Sequence, residues 1–191
     1  MAPKLILTGF MATGKSAVAR TLARLLDWPL IDCDSEIAAR AGKSIAQLFR
    51  DHGEEHFRAC ERALVMRIAA SDRRCAQCGN TRPAVVALGG GAIVDPVNYE
   101  ALSRAGVIIC LTARPEIIAR RVGSSARSRP MLTQGEKPLA ERIEELMEAR
   151  TSIYSRAALT VDTSDLNIEQ AAAAVLAAYT DACREKWARS A

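Results

Sequence analysis

The chain has 191 residues, 49% hydrophobic and 25% charged, which is enough apolar material for one packed domain and too much for long disorder. Its net charge is only +4, and with 4% aromatic residues no basic, aromatic-interleaved stretch marks a nucleic-acid surface. No apolar run reaches the ~18 residues of a membrane span, and the opening MAPKLILTGFMATGKS lacks the features of a cleaved leader, so a cytoplasmic protein with no membrane partner is expected.

Arginine dominates the basic residues, with 21 arginines against 5 lysines. A guanidinium fork fits phosphate and carboxylate oxygens better than an ammonium does, so the excess suits an anionic substrate. A GC-rich coding bias explains the same excess, so only individually placed arginines carry weight. The six cysteines, Cys33, Cys60, Cys75, Cys78, Cys110 and Cys183, are expected as reduced thiols unless a metal claims them.

In chain order, Lys4–Thr8 (KLILT) reads as a short buried strand running into GFMATGKS. The following AVARTLARLLD repeats its apolar positions at helical spacing. Trp28–Asp32 (WPLID) is a second strand, with Pro29 tolerable near its start. Asp34–Ala41 is a short helix that Gly42 can stop, and Ser44 caps the helix SIAQLFRDH. Gly53 breaks that helix before a long one from about Glu54 to Ala70. Strands follow at Ala84–Leu88, Val107–Leu111 and Leu159–Asp162, separated by helices at about Pro96–Arg104, Pro115–Arg121, Leu139–Tyr154 and Ile168–Ala188. Strands alternating with helices imply an α/β fold, a three-layer parallel sheet with helices on both faces.

Two stretches interrupt that rhythm. Ser71–Pro83 (SDRRCAQCGNTRP) is polar and turn-rich and reads as a surface excursion. Val122–Pro138 (VGSSARSRPMLTQGEKP) is small, polar and basic and reads as a mobile lid over a site. A single domain over residues 1–191 accommodates both. A monomer is expected, with a dimer left open.

The strongest chemical signal is Gly9–Ser16, which matches G-x-x-x-x-G-K-[ST] between a strand and a helix. Backbone N–H groups of such a loop wrap phosphate oxygens, and the helix N-terminus adds its positive end. Nucleotide contacts are expected from Ala12, Thr13, Gly14, Lys15, Ser16 and Ala17, with Lys15 neutralising the β/γ-phosphates and Ser16 offering a hydroxyl to Mg²⁺. P-loop proteins usually hold that metal from an Asp at another strand end, but Ala84–Leu88 ends in Gly89-Gly90-Gly91. Asp32 and Asp34 after the second strand are the alternative, one turning to the metal and one to a substrate hydroxyl. A capping carboxylate is the bland reading of that pair.

The blocks GFMATGKS, IDCD, GEEHFR, ALGGG, SRPML and ARTSIY, in that order along nearly the whole chain, resemble the shikimate kinase family. The resemblance implies a nucleoside-monophosphate-kinase-like P-loop fold and phosphorylation of shikimate by MgATP, a step toward chorismate and the aromatic amino acids. It implies that Asp34 contacts the hydroxyl to be phosphorylated and that Asp32 helps hold Mg²⁺, through water. Arg58 and Arg150 become carboxylate clamps, and Gly90 brings backbone close to the substrate ring. Arg129 comes from the lid toward the transferring phosphate, and Arg121 covers the adenine. The bland readings are a solvated helix arginine for Arg58 and an intrahelical partner of Glu144 or Glu145 for Arg150.

Three departures stand out. Ala12 occupies a position where the family often has glycine, and DTSDLNIEQ lacks the usual proline beside the adenine. Cys75-Ala-Gln-Cys78-Gly79 resembles half of a zinc knuckle, with Cys60 and His56 as candidate further ligands. A redox pair or an inert surface loop accounts for the same motif. Two other functions remain in view: a gluconate kinase of the same fold, and a non-catalytic nucleotide-binding module. The latter is expected to lose Lys15, Asp34 or Arg58, and all three are present.

Overall fold

The computed structural model describes residues 3–71, 83–123 and 138–188. Five strands, β1 (Lys4–Gly9), β2 (Leu30–Asp32), β3 (Val85–Ala87), β4 (Gly106–Thr112) and β5 (Leu159–Asp162), form one sheet in the order β2-β3-β1-β4-β5. Every pairing is parallel, so all C-terminal strand ends lie along one edge. The register sets Asp32 beside Ala87, Gly9 beside Leu111 and Thr112 beside Asp162.

Helices cover both faces. Helices α1 (Lys15–Leu26) and α7 (Ile168–Ala188) pack on one side over Leu5, Leu7, Val85, Val107 and Ile109. The other side carries α2 (Cys33–Ala41), α3 (Ile45–Ala70), α4 (Pro96–Ala105), α5 (Pro115–Val122) and α6 (Leu139–Tyr154) over Ile6, Ile31, Val86 and Ile108. Successive strand residues serve opposite faces, which is why β1, β3 and β4 read as continuous apolar runs, while the edge strand β5 (LTVD) alternates.

Local chemistry fixes the element ends. Ser44 Oγ accepts from Gln47 N at 3.2 Å while Gln47 Oε1 accepts from Ser44 N at 2.8 Å, a capping box that starts α3. Gly53, inside α3, has φ 78° and ψ 175°, so two helical segments meet there at a kink. β2 begins two residues later than WPLID suggests. Pro29 has no N–H and joins the sheet only through its carbonyl, which accepts from Val85 N at 2.9 Å. A 3₁₀ turn at Ala92–Val94, too short for any periodic signal, follows the triple glycine.

Candidate functional site

Strand β1 delivers the phosphate loop to the C-terminal edge. Gly14, at φ 96°, is the N-cap of α1, so Lys15 and Ser16 stand in its first turn. Two groups converge on the Phe10 carbonyl: Thr13 Oγ1 donates at 2.8 Å and Lys15 Nζ at 2.7 Å. The loop is thereby curled around its own carbonyl, with the Lys15 ammonium folded over it. Ala12 adopts φ 60°, a left-handed conformation that costs an L-residue roughly 1–2 kcal/mol.

The next strand end supplies the carboxylates. Asp32 is the N-cap of α2, its Oδ1 accepting from Ser35 N at 3.3 Å, so the capping reading of this residue holds for one of its oxygens. Cys33 is buried between the two aspartates. Burial, then the charges of Asp34 and Glu61, push its thiol pKa far up and leave it neutral. Asp34 is exposed in the first turn of α2. With Cys33 turned inward, Asp32 and Asp34 flank it at the sheet edge.

The triple glycine is where the elements meet. A Cβ on Gly89 would lie 2.8 Å from both Asp34 Oδ1 and Glu61 Oε1. On Gly91 it would strike Arg58 Nη1 at 2.7 Å and Nη2 at 2.8 Å. On Gly90 it would sit 3.5 Å from Gly9 O and 3.6 Å from Arg150 Nη1. Any side chain at Gly89 or Gly91 would displace a charged group, which accounts for those two glycines, whereas a Cβ on Gly90 would make only ordinary contacts.

Arg58 is half-buried and held by two glutamates. Its Nη1 donates to Glu61 Oε2 at 2.7 Å, while Nε and Nη2 donate to Glu54 Oε1 at 3.2 and 3.0 Å. Burial alone would lower the Arg58 pKa, but Glu61 and Glu54 outweigh it and hold the group firmly cationic. Glu61 is 2% exposed, and burial raises its pKa despite the opposing pull of Arg58. Arg150 Nη1 donates to Gly90 O at 3.4 Å, its guanidinium lies 5.8 Å from the Phe10 ring centroid, and Tyr154 Oη donates to Gly90 O at 2.7 Å. Sequence reasoning missed Glu61 and any role for the Tyr154 hydroxyl. Glu61 had a signal, since it falls on the apolar stripe of Phe57, Leu64, Val65 and Ile68.

Comparison with known proteins gives this edge of the sheet its family. A family model described as shikimate kinase matches residues 11–180. The chain belongs to the shikimate kinase family. The shikimate kinase of Caldanaerobacter subterraneus subsp. tengcongensis is 41% identical over 175 residues, covering 92% of this chain and 95% of the relative. That of Desulforudis audaxviator is 44% identical, covering 83% of this chain and 76% of its own. The solved shikimate kinase from Acinetobacter baumannii, in complex with shikimate, superposes with a TM-score of 0.80 at 28% identity over 92% of each chain. A gluconokinase from Sinorhizobium meliloti 1021 has a TM-score of 0.60 at 16% identity over 99% of this chain and 98% of its own, a likeness of fold alone.

Arg121 lies on the β5 flank of the same sheet edge. It stands in the last turn of α5, with Nη1 donating to Thr163 Oγ1 at 3.0 Å and Nη2 to the Thr163 carbonyl. In DTSDLNIEQ, which lacks the expected proline, Thr163 and Ser164 are buried. Arg114, the N-cap of α5, makes a bidentate pair with Asp165 at 2.9 and 2.7 Å. Arg129, Cys75 and Cys78 lie outside the described residues. Among the described residues no group of three or more His, Cys, Asp or Glu side chains is arranged to hold a metal. His56 Nε2 and Cys60 Sγ approach to 3.7 Å on successive turns of α3.

Proposed function

We propose that this enzyme transfers the γ-phosphoryl group of MgATP to a hydroxyl of shikimate, giving shikimate 3-phosphate and ADP. The observation that carries the reading is the convergence of Asp34, Arg58 and Arg150 on Gly89–Gly91, beside the backbone of Gly9. A small hydroxy acid needs two things here: a clamp for its carboxylate and an acceptor beside the hydroxyl that reacts. Arg58 and Arg150 come from separate helices and offer two forks, and Gly90 leaves room for the ring between them.

The roles follow from geometry and charge. Phosphoryl transfer breaks the bond between the γ-phosphorus and the β,γ-bridging oxygen and forms one to the substrate oxygen. Most of the catalysis is therefore positioning and neutralisation of charge. Asp34 orients the hydroxyl and takes up its proton. Backbone N–H groups of Ala12, Thr13, Gly14, Lys15, Ser16 and Ala17 cradle the phosphates, and Lys15 leaves the Phe10 carbonyl to meet them. Ser16 and Asp32 fit Mg²⁺, since both offer hard oxygens at the sheet edge and the cap occupies only one Asp32 oxygen. When bound, the ion neutralises charge on the β- and γ-phosphates. The family resemblance, not geometry, assigns Arg121 to the base and Arg129 to the transferring group.

The reading extends to one kinase domain over residues 1–191, with about 122–138 as its lid and about 71–83 as an excursion, acting as a monomer in the cytoplasm. Zinc at Cys75 and Cys78 is a subsidiary part, supported by the C-x-x-C-G spacing alone. Metal analysis of the purified protein against a Cys75→Ser/Cys78→Ser variant tests it.

The experiment for the main reading is a coupled assay of ADP release with ATP and Mg²⁺. Release is expected with shikimate and not with gluconate. The reverse preference would transfer the chain to the gluconate kinases of the same fold, and release with neither would leave a nucleotide-binding module.

A further inference from the structure

We infer that Thr163 is a positioning residue for the nucleotide: its buried hydroxyl fixes Arg121 as one wall of the base site and ties that wall to the phosphate loop. The inference rests on the nucleotide role proposed for Arg121. Thr163 is 2% exposed and directly follows β5. Its N–H extends the β4–β5 ladder by donating to Thr112 O at 2.9 Å, so its backbone is held at the strand end. The hydroxyl then has three partners, 2.9 Å from Thr112 O, 3.0 Å from Thr13 O and 3.0 Å from Arg121 Nη1. It has one proton to give, shared between the two carbonyls, and its lone pairs receive the guanidinium.

Those partners belong to three different parts of the site. Thr13 is in the phosphate loop, Thr112 ends β4, and Arg121 is in the last turn of α5. The Thr163 carbonyl takes a second N–H of the same arginine, so Arg121 is gripped at two points by one residue. An arginine side chain left to itself samples many rotamers, and a base stacked on it would have to order it at the cost of affinity. Here Thr163 has already done the ordering, and the planar face of the guanidinium remains available for an aromatic base. Hydrogen bonding at the strand end alone would need only the backbone N–H, which any residue but proline supplies. The hydroxyl adds the second grip on the arginine, which the backbone carbonyl alone would hold at one point.

The test measures four constants on the full chain: KM for ATP, KM for shikimate, kcat, and the inhibition constant of inorganic tripolyphosphate, which carries the phosphates without a base. Thr163→Val keeps the shape and removes the hydroxyl. It should raise KM for ATP on the order of ten-fold, the loss of one hydrogen bond to a charged group. The shikimate KM, kcat and tripolyphosphate inhibition should stay within about two-fold, and Thr163→Ser should restore ATP. Arg121→Lys keeps the charge but cannot grip both Thr163 oxygens in a planar fork, so it should reproduce the loss without altering the buried position.

Unchanged KM for ATP in Thr163→Val, with a clear increase in Arg121→Ala, overturns the inference and leaves Arg121 in the base site. Unchanged KM in Arg121→Ala removes the arginine from the nucleotide altogether and the inference with it. Equal weakening of ATP, tripolyphosphate and shikimate in Thr163→Val overturns it in favour of general support of the sheet edge.

Discussion

Arg58 approaches Gly91 so closely that the glycine acts as the floor on which the guanidinium lies. Adding a methyl at Gly91 would press on Nη1 and Nη2 at under 3 Å, so Gly91→Ala should push the arginine off its place while the phosphate loop is untouched. Arg58→Ala and Arg150→Ala should each weaken shikimate binding by about 2–5 kcal/mol, since a charge-assisted pair to the carboxylate is lost, and leave ATP binding near normal. Gly91→Ala should follow Arg58→Ala in a calorimetric titration with shikimate. Retained affinity in Gly91→Ala alongside a weakened Arg58→Ala would mean that the arginine binds from another position. The partner beneath Arg58 adds a pH signature. Burial raises the Glu61 pKa, so the native state keeps that proton to a higher pH than the unfolded chain does. Stability from this group is present below the ordinary glutamate range and is lost as pH rises through the raised native value. Urea unfolding of wild type should therefore lose ground to Glu61→Gln across that interval and run parallel to it above. A constant difference at every pH would show Glu61 to titrate normally.

Helix α3 carries both members of that pair, and its kink decides where they stand. Gly53 occupies φ 78° and ψ 175°, a region open almost only to glycine, and a Cβ there would meet no atom within 4 Å. The whole cost of Gly53→Ala is then torsional, about 1–3 kcal/mol, read as a lower urea midpoint with an unchanged m-value. An unaltered midpoint would mean that the kink relaxes into continuous helix at no cost. The break itself was legible in the sequence, because a glycine between two apolar-periodic segments weakens a continuous helix by about 1 kcal/mol and admits a positive φ. The strands and the phosphate loop were legible for a similar reason: burial on both faces and phosphate cradling each demand one narrow residue pattern. Glu61 was harder, since a glutamate three residues from an arginine also describes a solvated pair, and only its place on the apolar stripe of α3 separates the two. Thr163 carried no signal at all. Its partners lie 42, 51 and 150 residues away, and nothing local in VDTSD announces them.

At the scale of the whole molecule the parallel sheet has a polarity that sorts function from scaffold. Gly9, Asp32, Gly89, Thr112 and Thr163 all stand at or just beyond the C-terminal strand ends, and open α/β sheets bind ligands along that edge. Ser71, which closes α3, and Pro83, which leads into β3, flank the segment carrying Cys75 and Cys78. Pro83 and Gly89 lie on either side of β3, and the six residue steps from one to the other span about 20 Å when extended. The anchors of the cysteine segment are thus on the far edge from the phosphate loop and the triple glycine. From anchors on that edge, a metal held by Cys75 and Cys78 is expected to stiffen the chain between Ser71 and Pro83 or join two molecules rather than serve the transfer. Cys75→Ser/Cys78→Ser should therefore keep kcat and both KM values within about two-fold of wild type, any effect being on thermal stability or zinc content. A double variant that folds and binds ATP, yet loses turnover, would bring the cysteine segment to the active edge and break this division of the sheet.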